Sequence, residues 1–326
     1  MNLVRKEEYF ENSIENIMPE NKNLRHQFAD TMNMVGGIDQ DLVVVVGDIS
    51  HGILSDFRNN FPERYFNIGI CEPGTVNVCA GLSKLGFSPV IHTIAPFLIE
   101  RSYEQIKLDF GYQNLGVNLI SVGGAFDYSK LGCSHHCYTD ISLISHLPSS
   151  NIFTPGSCVE FDRLFRNSYK NGKINYFRLT EYSHGITFPP DTDFTKGQIV
   201  KSGKDITIAT YGAQLKNAII AEKSLAKQGI SCEVLYFATI KPFDDIAFQN
   251  SVLKTKNWIS IEEHSEHDGL FNLCMKATYG MENVKSKQLA ISGFVKCYGT
   301  YEQLCKETGL NAESLEKEIK NLLSRG

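Results

Sequence analysis

The stretch Tyr65-Phe-Asn-Ile-Gly-Ile-Cys-Glu-Pro-Gly74 is an apolar run cut off by one carboxylate and then by Pro-Gly. The run reads as a buried strand and the small, apolar residues behind it as a packed helix, which sets Glu72 at a strand-to-helix junction. In open α/β sheets ligands bind at that junction, at the carboxyl end of a strand, and Pro73 suits a first helical position that needs no N–H. Spacing alone leaves two readings of Glu72: a carboxylate that caps the helix, favoured by the helix dipole, or one that meets a ligand.

The densest polar cluster is Leu131-Gly-Cys-Ser-His-His-Cys-Tyr-Thr-Asp140. Cys133, His135, His136 and Cys137 are all metal-ligand types, but they crowd together without the second half that a structural zinc site needs, so no metal is expected there. His135 reads either as a neutral imidazole bonding substrate hydroxyls or as a loop histidine bonded to nearby backbone. Ile261-Glu-Glu-His264 ends a strand and reads as a solvated turn with a cap before the next helix. Phe97, opening a helix after the strand that ends near Ile94, offers a flat apolar face to a heteroaromatic ring or to the core. Gly47-Asp48 follows a strand, but no GxGxxG or GxxxxGK loop and no Gly-Asp-Gly with a distant Asn is present.

These residues must be held by the elements around them. Strands are expected at 42–48, 66–71, 89–94, 117–122, 152–154 and 176–179, with helices over 74–85, 97–111, 140–147 and 159–169. Strands alternating with such helices mean βαβ units and a mostly parallel sheet. A Pro-containing polar passage at 189–197 reads as a linker. A second series follows, with strands at 205–210, 232–237, 258–262 and 290–295, helices over 213–228, 244–253 and 270–279, and a charged helix over 311–323. The expected fold class is therefore α/β, two parallel-sheet domains: an arm over 1–22, a first domain over 23–188, the linker, and a smaller domain over 198–326.

Composition sets the outer limits. A chain of 326 residues with 42% hydrophobic and 21% charged residues is long enough for about two domains. A net charge of −5 with no Lys/Arg block argues against nucleic acid or an anionic membrane as main partner. No apolar run approaches a membrane span, and the first residues lack the apolar core of a signal peptide, so a cytoplasmic location is expected. Nine cysteines without framework spacing point to reduced thiols.

In their order these pieces resemble the carboxyl-terminal half of transketolase, a thiamine-diphosphate enzyme, over nearly the whole chain after the first twenty residues. The motifs carrying the resemblance are Asn67 to Pro73, Phe97 to Gln105, Gly132-Cys-Ser-His-His136, Ile240-Lys-Pro242 and Glu262-Glu-His264. The resemblance implies the pyrimidine-binding fold followed by the transketolase C-terminal-like domain. It implies that Glu72 hydrogen-bonds N1′ of the cofactor's aminopyrimidine and so promotes loss of the thiazolium C2 proton. Phe97 would stack on the pyrimidine and Ile94 line the same pocket, with Arg101 and Asp48 completing the cofactor-binding set. His135 would contact the donor's hydroxyls.

Where transketolases grip a sugar phosphate with Ser, His and Arg, this chain has Val46, Gly123 and Glu181, and Leu131 stands in place of an acid that reads a substrate hydroxyl. The expected substrate is therefore not an ordinary terminal phosphosugar bound in the usual way; a nucleotide-activated keto sugar extended by a two-carbon unit fits. The family's diphosphate and Mg2+ site is carried by an amino-terminal half that this sequence does not contain. A companion subunit is expected to supply it, in an α2β2 heterotetramer. The chain is also similar to the β subunit of 2-oxoacid dehydrogenase E1 components, which would make it part of an oxidative decarboxylase; a non-catalytic paralogue is a third reading, against which Glu72 speaks.

Overall fold

The β-branched run Leu42-Val-Val-Val-Val46 is buried along its whole length, as a strand covered by helices on both faces must be. Val44 and Val46 face a core containing Phe28, Phe57 and Phe161, while Val43 and Val45 face one containing Val76, Leu98 and Ile99. The computed structural model describes residues 9–11, 13–15, 17 and 20–324. It holds strands β1 (Leu42–Val46), β2 (Tyr65–Asn67), β3 (Ser88–Ile94), β4 (Val117–Val122), β5 (Ser150–Phe153) and β6 (Ile174–Arg178) in one parallel array, ordered β5-β6-β4-β3-β1-β2. The second series supplies β7 (Gln198–Lys201), β8 (Ile206–Thr210), β9 (Cys232–Tyr236), β10 (Thr239–Lys241), β11 (Asn257–Ser265) and β12 (Lys285–Ile291). Four of its strands are parallel, in the order β12-β11-β8-β9, with β7 antiparallel on the β9 edge.

The α/β class with two mostly parallel sheets is thus present, and the halves are more closely joined than alternation suggests. β10 leaves its own series and pairs antiparallel with β5, as the seventh strand of the first sheet. The described part of the arm also packs: Phe10 lies edge-on to Phe188, and Lys223 donates to the Ile14 carbonyl. The passage 189–197 is pinned as well, with Phe194 buried against Phe188 and the Gln198 amide donating to the Asp193 and Lys196 carbonyls.

Three local expectations are corrected. The strand over 66–71 ends at Asn67, because the chain turns out of the ladder at Gly69 (φ +80°); Ile70 is 73% exposed rather than buried. The helix begins at Glu72 itself and runs to Lys84, with Pro73 in its first turn. The strand expected at 290–295 lies at Lys285–Ile291, where it forms a half-exposed sheet edge whose lysines hide the pattern of a buried strand. Among the described residues no helix is long and apolar enough to cross a membrane, and all nine cysteines are free thiols.

Candidate active site

Sheet order gathers the site. β2, β1, β3 and β4 are neighbours, and their carboxyl ends carry Glu72, Asp48, Ile94 with Phe97, and the loop of His135. Glu72 is 2% exposed, and its Oε2 accepts from Arg101 Nη1 at 2.8 Å. The same guanidinium lies over the Phe97 ring, 4.2 Å from its centroid. Phe97 in turn meets the His135 ring at 5.2 Å, edge to face, and Tyr128 approaches His135 from another side at 6.4 Å. Phe97 and Arg101 share a helix face because they are four residues apart, although the helix is locally widened to a π-type turn over Pro96–Glu100, a distortion common at functional sites. Ser134 Oγ is 3.0 Å from His135 Nδ1, so Nε2 is the nitrogen available to a substrate.

Asp48 sits at the rim. Its backbone is left-handed (φ 55°), as is that of Ser50 (φ 63°), a conformation that non-glycine residues adopt mainly where the surroundings enforce it. Its Oδ1 accepts from His51 and Asn67, and the His51 hydrogen bond holds its carboxyl below the usual range. Sequence reasoning named Asp48 but missed its partners His51 and Asn67, and also missed Arg25, whose Nε donates to Ser50 Oγ at 2.9 Å while Ser50 meets the buried His92. Arg25 belongs to the helix Leu24–Ile38, and no local pattern announces that its head reaches the strand ends.

The departures at the sugar-phosphate positions have structural reasons. Val46 is wholly buried in the core. At Gly123 (φ +76°) an added Cβ would lie 2.7 Å from the Tyr128 ring, so a histidine there is excluded by the tyrosine that now fills the space. Glu181 is exposed, its N–H held by both carboxylate oxygens of Asp127. Leu131 is exposed at the loop surface.

The Glu262-Glu-His264 cluster is not the solvated turn expected from its polarity. All three side chains are buried, because β11 is interior to its sheet. Glu262 accepts the Leu270 and Phe271 N–H groups at the start of the next helix, Glu263 bonds Gln214 and Tyr301, and His264 meets Ser142. Burial pushes the Glu262 carboxyl up to about 7. A raised carboxyl favours the folded state most below its unfolded value near 4.5, and that contribution is lost as pH climbs through about 7. Glu262→Gln keeps the acceptor oxygen but not the titration. Denaturant melts at pH 5 and pH 8 should therefore show the variant gaining about 3 kcal/mol on the wild type over that interval; parallel pH curves would contradict it.

A buried carboxylate, an aromatic face and an imidazole gathered at the carboxyl ends of neighbouring parallel strands mark the class: an α/β enzyme subunit. The chain belongs to the transketolase family. The pyrimidine binding domain of transketolase matches residues 20–184 and the transketolase C-terminal domain residues 195–315; the family is thiamine-diphosphate-dependent. The chain is 31% identical to one subunit of the apulose-4-phosphate transketolase of Actinobacillus succinogenes, over 84% of this chain and 90% of that one. It superimposes on a split-gene transketolase solved as an inactive beta4 tetramer, with TM-score 0.84 and 26% identity, covering 94% of this chain and 99% of that chain. It shares the fold of half of the Campylobacter jejuni transketolase, with TM-score 0.78 and 18% identity over 97% of this chain and 50% of that one.

Arg101 reports on whether the pocket suits an aminopyrimidine. Its guanidinium is a planar cation with N–H donors, lying over Phe97 and donating to Glu72. A protonated aminopyrimidine asks for those same two contacts, so the residues fit the pyrimidine end of the cofactor. Among the described residues no group of three or more His, Cys, Asp or Glu is arranged to hold a metal ion.

Proposed function

We propose that this chain is the carboxyl-terminal-half subunit of a split, thiamine-diphosphate-dependent transketolase that moves a two-carbon ketol unit from a ketose donor to an aldehyde or keto-sugar acceptor. The observation that carries the reading is the line Glu72, Arg101, Phe97, His135 across neighbouring strand ends. The bound cofactor supplies a nucleophilic carbon that carries the two-carbon unit. Glu72 holds a proton at the pyrimidine N1′, Phe97 presents a ring face and Ile94 a wall. His135 would bond donor hydroxyls through Nε2, and Asp48 at the rim would complete the cofactor-binding set. Mg2+ and the diphosphate belong to a companion subunit. The surface around Glu72 offers that subunit apolar contacts: Ile70, Val78, Leu108 and Tyr112 are exposed on and beside the Glu72–Lys84 helix. Two such pairs would form the heterotetramer. The Actinobacillus relative is itself named as one subunit of its enzyme, which agrees with an enzyme built from more than one kind of chain.

The acceptor is read from Val46, Gly123, Glu181 and Leu131, none of which offers a cation, and from Tyr128, which fills the Gly123 side of the site. Arg25 brings a guanidinium near, so an anionic group is met by a different set of residues from the usual grip. A nucleotide-linked keto sugar is the acceptor class that suits this opening. The test is co-expression with a companion chain that carries Gly-Asp-Gly…Asn, followed by steady-state assays. The nucleotide-linked acceptor should exceed the xylulose 5-phosphate and ribose 5-phosphate pair by at least about tenfold in kcat/KM. Equal use of the phosphosugar pair would defeat the acceptor assignment, and acceptor-dependent CO2 release from a 2-oxoacid would move the chain to the E1 β class.

A further inference from the structure

Arg101 makes, within this chain, both contacts that the cofactor's pyrimidine needs. Its Nη1 is 2.8 Å from Glu72 Oε2, and its Cζ is 4.2 Å from the centre of the Phe97 ring. Glu72 is 2% exposed at its side chain whereas Arg101 is 44% exposed, so the carboxylate is the fixed member of the pair and the guanidinium the movable one. A flat ring cannot lie on Phe97 and reach Glu72 while the guanidinium is there, because two planar groups cannot share one face at van der Waals distance.

We infer that Arg101 is a resident competitor for the pyrimidine site: it occupies Glu72 and Phe97 in the free subunit, and the cofactor must displace it to bind. The inference rests on the cofactor reading of those two residues. In the free subunit the arrangement has a physical use, since a buried carboxylate without a partner is costly, and the ion pair with its cation–π contact satisfies it. Displacement is feasible because the side chain already reaches water. The cofactor then takes over as partner of Glu72, so the carboxylate is never left buried alone. A site occupied nine times in ten by its own side chain binds its ligand about tenfold more weakly than an open one.

The test is the affinity for thiamine diphosphate with Mg2+, measured by titration calorimetry on the full chain assembled with its companion subunit. Arg101→Met keeps the packing of the stem over Phe97 but cannot pair with Glu72, and should bind about tenfold more tightly. Arg101→Lys keeps the charge without the planar fork and should fall between. Unchanged or weaker binding by Arg101→Met overturns the inference and makes Arg101 an ordinary cofactor contact. Phe97→Ala, run beside them, should weaken binding; if it does not, the pyrimidine-site reading itself has failed, and the competitor role with it for a separate reason.

Discussion

Glu72→Ala should lower turnover of the assembled enzyme by about 10²- to 10⁴-fold, the range associated with losing a positioned proton-transfer group. The loss should appear in kcat, because the carboxylate acts on the bound cofactor and not on the sugar. The fold should survive: the residue stands in the first turn of its helix, and its ionic partner Arg101 is 44% exposed and can turn to water. Circular dichroism and the denaturation midpoint should therefore stay near wild type while rate collapses. Glu72→Gln sharpens the result, since it keeps the shape and a hydrogen bond but cannot carry the proton. A variant within a few-fold of wild-type turnover would remove Glu72 from the chemistry and leave it as a helix-terminal residue.

The second large effect is on stability. Arg178→Ala should cost about 3–5 kcal/mol in chemical denaturation, the usual penalty for stripping one partner from a buried ion pair. Arg178 is 2% exposed and Asp140 0%, with Nε 2.7 Å from Oδ2. The same carboxylate oxygen accepts the Tyr176 hydroxyl at 2.6 Å. The other end of the guanidinium donates to the Cys137 and Glu263 carbonyls, tying the end of β6 to the His135 loop and to β11 of the second sheet. Truncation thus leaves a buried carboxylate without its cation and removes the Arg178 donor from two carbonyls, of which that of Cys137 keeps the Ala125 N–H. Asp140→Asn in the same background should recover part of the loss, because the orphaned charge is then gone. A double variant as unstable as Arg178→Ala would show that the cost lies in the lost carbonyl bonds instead.

The interior strands were legible because their residues have nowhere else to go. Leu42–Val46 is a continuous apolar run, and a run of that length without charge must be covered on both faces. The edges were less legible, since β2 and β12 mix polar with apolar residues and depend on a neighbour strand rather than on their own pattern. Polarity misled most at Glu262-Glu-His264, where three ionisable groups are buried because the amides of the next helix, and Gln214, Tyr301 and Ser142 from far along the chain, supply their partners.

For the site, the amino-acid sequence by itself determined which residues stand near strand-to-helix junctions and in what order. Ile94 ends a run that reads as a strand, Glu72, Phe97 and His135 lie in the segments after such runs, and their order along the chain resembles that of transketolase. Only the tertiary structure decided who touches whom. Strand order is a long-range property, and it sets the end of β2 beside those of β1, β3 and β4. Side-chain direction on a locally widened helix then turns Arg101 back onto Phe97 and into Glu72. A contact between residues 29 positions apart leaves no periodic trace in either segment, which is why the carboxylate could be found by reading along the chain and its partner only by looking across it.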